Sequence, residues 1–182
     1  MAVLERRLED LARVADGELM RTFEAGSMPD PAGLAGWEFR GFCPPAFARL
    51  AGIQKFKKGF FWKGDGSRRS LWGYNVPIIQ DGLHRPWTNK HGETAPKRFG
   101  FYEVLPGNAE PNLRHPNALL HDYGRGRNPV WDGTRFLRDY VVQVDPDNED
   151  LLLGRAYLAV GRFLVPSNFF LLERLRRTEY AG

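Results

Sequence analysis

Four histidines, His84, His91, His115 and His121, and one cysteine, Cys43, offer this chain its most direct route to metal or nucleophilic chemistry. None of the histidines forms an HxH or HxxxH pair, and no carboxylates gather beside them in sequence, so neither a metal nor another cofactor is expected. Surface histidines are the simpler account. Cys43 directly precedes Pro44-Pro45 and reads as a buried structural thiol. No G-x-S-x-G elbow or P-loop occurs, and neither Ser70 nor Ser167 has a neighbouring base in sequence. Tyr123-Gly124-Arg125-Gly126-Arg127-Asn128 has the glycines and arginines of an anion nest, but a β-turn with solvated arginines needs no ligand to explain it. Lys97-Arg98-Phe99-Gly100-Phe101-Tyr102 is like the base-stacking strand of an RNA-recognition module, yet the helices such a module needs are missing around it.

Charge inside alternating strands is the more informative feature. Arg40, Asp122, Arg138, Asp139, Arg155, Glu173 and Arg174 stand among residues that otherwise read as core. An isolated buried charge is costly, so a buried arginine must be paired or hydrogen-bonded. Either these charges face solvent, or some line a cavity and meet the polar head of an apolar ligand. Register decides, and one bulge exchanges the two faces. On the cavity account Trp72, Tyr74, Phe101, Tyr140 and Tyr157 are the walls. Arg138 and Arg155, with Arg40, meet an acidic or polar head group, and Asp122 lies beside them. An enzymatic alternative uses the same cavity for a cyclase or isomerase reaction, with Asp122 or Glu173 as acid or base and a tyrosine as partner. A third reading has no cavity, and the aromatic loops near Trp87 and Trp131 bind a partner.

These side chains need strands to position them. Phe136, Arg138, Tyr140, Val142 and Val144 alternate with Leu137, Asp139, Val141 and Gln143 up to the turn at residues 145–150. Runs at 151–160 and 168–175 follow, so an antiparallel meander is expected. The last run is apolar on both faces, which requires a core on one side and a second layer on the other. Earlier strands are expected at 36–42, 55–62, 70–79, 98–105 and 117–123, with a hairpin turn at Gly64-Asp65-Gly66-Ser67. Pro77 and Pro166 mark interruptions. Residues 2–15 and 18–24 carry the three- and four-residue spacing of amphipathic helices, broken at Asp16-Gly17, and residues 46–50 allow a helical turn.

Composition agrees. With 182 residues, 42% hydrophobic and 13% aromatic, the chain suits one folded domain, 1–182. Its 20 glycines and 13 prolines suit a turn-rich β fold. A single cysteine excludes an internal disulfide. The net charge of +4 is spread in clusters such as Lys55-Lys57-Lys58, which reads as solvated surface and not as a nucleic-acid face. No run approaches the ~20 apolar residues of a membrane span, and no secretory h-region opens the chain, so a cytoplasmic protein is expected. Oligomeric state does not follow from these features.

The order of motifs resembles a known pattern. A helical N-terminal segment (1–25) precedes Gly36-Trp37-Glu38-Phe39-Arg40-Gly41, a Lys-Gly-aromatic strand, and a final strand Asn168-Phe169-Phe170-Leu171-Leu172-Glu173-Arg174. This is similar to uncharacterised bacterial families with a GxWxG first strand and a terminal FxLER strand, themselves calycin-like (lipocalin and fatty-acid-binding barrels). The spacing departs in one respect: Phe39, not Trp37, stands two before the closing glycine. The resemblance implies a mainly β, antiparallel meander barrel of about 8–10 strands over residues 34–176, with an internal cavity for a small, largely apolar molecule such as a fatty acid or aromatic acid.

Overall fold

The computed structural model describes residues 7–44 and 52–182. Three short helices come first: α1 (Leu8–Leu11), α2 (Asp16–Ala25) and α3 (Pro31–Leu34). Eight strands follow: β1 (Trp37–Phe42), β2 (Lys55–Lys63), β3 (Ser70–Pro77), β4 (Phe99–Pro106), β5 (Leu119–Asp122), β6 (Leu137–Asp145), β7 (Asn148–Val160) and β8 (Phe163–Arg177). Each pairs antiparallel with the next, and β1 pairs antiparallel with β8, so the sheet closes as a meander barrel. The mainly β architecture expected from alternation is therefore present, with eight strands.

Local differences have local causes. The first helix spans only Leu8–Leu11, and residues 1–6, like the turn expected at 46–50, lie outside the described residues. Asp16-Gly17 does not break a helix but opens α2, where Asp16 and Glu18 place negative charge beside the free N–H groups of the first turn. Pro166 does not end a strand: it lies within β8 opposite Tyr157, at a register shift. Residues 163–170 have β7 on one side only, since β1 reaches no further than Leu171, and an edge strand tolerates a missing N–H.

The two faces of the sheet bury two different sets of residues. Inside the barrel Phe39, Phe60, Leu71, Tyr102, Leu119, Val141, Leu152, Phe170 and Leu172 make one continuous cluster. Outside, Tyr140, Val142, Leu151, Leu153, Phe169 and Leu171 are covered by Leu8, Leu11, Leu19 and Phe23 of the helices. β8 is thus apolar on both faces because both are covered. A third cluster joins Phe61, Trp72, Tyr74 and Val76 to Trp87 of the 78–98 connection, with Tyr180 packed at 4.9 Å from Tyr74. Two lysines clamp that connection to the outer wall. Lys55 Nζ donates to Asp81 (2.6 Å) and to the Arg85 and Pro86 carbonyls, and Lys57 Nζ donates to Asn89 (2.8 Å). Neither belongs to a solvated surface.

Candidate functional site: the barrel chamber

Alternation along β2 sends Lys55 and Lys57 outward and Phe56, Lys58 and Phe60 inward. Lys58 is buried, with its Nζ 3.0 Å from Asp139 Oδ2 on β6. Lys58 Nζ also donates to the Tyr123 hydroxyl, which in turn donates to the same Asp139 oxygen at 3.0 Å. Asn75 on β3 reaches the Tyr123 hydroxyl at 3.3 Å. Four rings face the ammonium: Tyr102 at 4.7 Å, Tyr123 at 5.0 Å, Phe170 at 5.3 Å and Phe56 at 5.7 Å. Cation–π attraction of this kind helps a buried cation keep its charge. Burial pushes the Lys58 pKa down, and the Asp139 carboxylate works against that shift. Burial pushes the Tyr123 and Tyr102 hydroxyls well up, reinforced by Asp139.

Beside this group an open pocket of about 310 Å³, the chamber, leads into one end of the barrel. Phe56, Phe99, Leu137, Ala156, Leu158 and Phe170 form its apolar walls, and Lys58, Tyr123, Asp139 and Asn75 meet on one side of it. Cys43, Thr134, Ser167 and Asn168 complete the lining, and the half-exposed Ile53 and Leu158 stand at its mouth. The buried thiol of Cys43 is, as expected, structural in setting: burial first, then the Asp139 charge, raises its pKa to about 12, and Asn168 Nδ2 lies 3.7 Å from its sulfur. A thiol held neutral is a poor nucleophile.

Several polar atoms beside Lys58 lack partners. Asp139 Oδ1, the Tyr102 hydroxyl and both ring nitrogens of His121 are buried without a hydrogen bond. His121 sits directly across the ladder from Asp139 and stacks on Tyr102 at 4.6 Å. Burial, then the Lys58 charge, holds its pKa well below the usual histidine value. The expectation of surface histidines therefore holds for His84 and His91 and is corrected for His121, which is fully buried, and for His115, which packs edge-on to Phe23 and bonds the Tyr157 hydroxyl.

The residues assigned from alternation as cavity walls and head-group contacts lie on the other face and do not line the chamber, and of the charges noted among core residues Asp139 alone does. Trp72 and Tyr74 pack under the 78–98 connection, with Phe101 against that cluster, and Tyr140 and Tyr157 lie under the helices. Arg40 is ion-paired with Glu9 and Glu173, so Glu173 is engaged as well. Arg138 is held by Asp122 at 3.1 Å, and Arg155 stacks on Phe169 at 4.5 Å and bonds the Tyr157 hydroxyl. Outer-face residues read as core because a second layer covers the barrel. The chamber's own signal is the run Phe56-Lys57-Lys58-Gly59-Phe60, where a lysine shares a face with aromatics on either side, matched by Asp139 between Leu137 and Val141.

Fold and site together define an eight-stranded antiparallel barrel with a small apolar chamber and a buried Lys–Tyr–Asp group. No family model matches the chain, and neither does any curated protein or solved structure.

Proposed function

We propose that the barrel binds a small, largely apolar molecule whose polar end meets Lys58, Tyr123 and Asp139. The carrying observation is the chamber itself: apolar over most of its lining, with Lys58, Tyr123, Asp139 and Asn75 joined by hydrogen bonds at one side. Its volume falls at the lower end of the roughly 300–1,000 Å³ of ligand pockets, which favours a compact aromatic or medium-chain ligand. Charge refines the head group. Lys58 is already neutralised by Asp139, whereas Asp139 Oδ1 lacks a donor. A hydroxyl or an undissociated carboxylic acid donates to Asp139 and accepts from Lys58, while a carboxylate would face the Asp139 charge. A buried acceptor left without a donor costs about 1–3 kcal/mol, so a ligand that supplies one recovers part of that.

Titration with matched pairs, decanoic acid with decanol and benzoic acid with benzyl alcohol, tests this through tryptophan fluorescence and Tm. Expected is a rise in Tm with the alcohols at neutral pH, and with the acids as the pH falls towards their own pKa. No response to any of them would remove the reading, and tighter binding of the carboxylate forms would reverse the assignment of the head group. Asp139→Asn, which keeps the shape and removes the charge, is expected to abolish the preference for the undissociated acid.

A further inference from the structure

The strands alternate their connections between two ends of the barrel, and the end bearing the chamber mouth is apolar on its outside. Trp131, Phe136, Leu158, Val160, Phe163 and Val165 are all exposed there, Trp131 to 85% and Phe163 to 62%. Cross-strand pairing sets Leu158 opposite Val165 and Val160 opposite Phe163, which puts these four side chains on one face of the β7–β8 hairpin. It is the face that, further down, presents Ala156 to the chamber. The hairpin thus carries the barrel's internal apolar surface out past the mouth into water. Phe136 directly precedes Leu137, the ladder partner of Leu158, and Trp131 lies three residues before Thr134 of the chamber lining. Exposed apolar side chains gathered at one end of a fold are a feature of interaction sites.

Charge indicates the partner. The guanidinium of Arg162 lies 5.0 Å over the Phe163 ring and that of Arg135 lies 5.8 Å over Phe136. The described connections at this end, 78–98, 123–136 and 161–162, carry eight Arg and Lys against three Asp and Glu. At the far end the connections 64–69, 107–118 and 146–147 carry three against three. Aromatic and aliphatic tips with arginines beside them suit the boundary of an anionic bilayer, where the rings enter the headgroup layer and the guanidinium groups meet lipid phosphate. A symmetric pair of barrels joined through the same patch would bring two arginine-rich ends together, whereas an anionic surface complements them. We infer that the mouth end of the barrel docks peripherally on anionic lipid, with the β7–β8 hairpin tip and the Trp131 loop as its contact.

The test is co-sedimentation of the full chain with vesicles of phosphatidylcholine alone and of phosphatidylcholine with phosphatidylglycerol. Expected is binding to the anionic vesicles that weakens with added salt, with a blue shift of emission that Trp131→Ala removes. Phe163→Ser with Val165→Ser should weaken that binding by about tenfold, given the apolar area removed, and Arg135→Glu with Arg162→Glu should abolish the preference for anionic lipid. All five substituted side chains are exposed or part-exposed, so Tm should stay near that of the parent. Equal binding of neutral and anionic vesicles, no binding, or binding unchanged by these substitutions would overturn the inference. A concentration-dependent dimer that the Phe163→Ser, Val165→Ser protein loses would assign the patch to a second copy instead. Docking does not rest on the chamber having a ligand: a barrel that binds vesicles but none of the acids and alcohols would leave it standing and remove only the binding function.

Discussion

At the scale of single residues, the buried ion pair sets the strongest expectation. Lys58→Met leaves Asp139 charged and unpaired in an apolar interior, which should cost about 3–5 kcal/mol in urea unfolding. Lys58→Met with Asp139→Leu should recover most of that loss, because two apolar groups replace both charges at once. If the single substitution is as mild as the double, the pair is not desolvated in solution. His121 sets a second expectation. Its folded-state pKa is depressed, so below about 6.5 the unfolded chain binds more protons than the folded one. The stability of the neutral, buried ring is therefore fully present above that pH and declines as the pH falls through it. His121→Phe should flatten the fall of Tm between neutral and mildly acidic pH, leaving the smaller share of His115, whose pKa is also lowered by burial. The site was only partly legible in the sequence. Asp139 stood out as a charge among core residues, but Lys58 looked like one member of a solvated basic run, since Lys55 and Lys57 flank it. Nothing local says that all three are buried, the outer two by a connection some thirty residues away.

At the scale of elements, several strands meet through a glycine set opposite an aromatic ring. Gly73 faces Tyr102 across β3 and β4, and Gly154 faces Phe170 across β7 and β8. A Cβ at Gly73 would come within 2.3 Å of the Tyr102 ring, and one at Gly154 within 2.1 Å of Phe170. Both rings fold down over bare backbone; the Tyr102 ring stays out of the chamber lining, and the Phe170 ring forms part of its wall. Gly73→Ala should force the Tyr102 ring inward, costing about 1–3 kcal/mol as overpacking, and should weaken ligand binding beyond that loss of stability. Thermal unfolding and fluorescence titration of the one variant separate the two effects. The strands themselves were readable, because two-residue alternation between turn clusters survives without knowledge of partners. Which face is internal was not. Tyr74 and Tyr140 are as buried as any interior residue, and only the long-range placement of the helices and the 78–98 connection distinguishes covered exterior from barrel core.

At the scale of the whole molecule, one closed sheet carries two buried faces. The barrel interior buries one face and the helices and the 78–98 connection cover much of the other, with Lys58 of β2, Asp139 of β6 and Tyr123 just after β5 meeting inside. The seam between β1 and β8 has a consequence in time. Arg40 and Glu173 meet across it from opposite ends of the barrel sequence, and Thr178 N–H closes on the Gly36 carbonyl at 2.9 Å. During synthesis β1 can pair with β2 on one side, and its other edge stays open until β8 has emerged. Contacts so distant in sequence form slowly. Until the last strand emerges, that open edge is a template for pairing with other chains, and escape from aggregation depends on how quickly the ring is sealed.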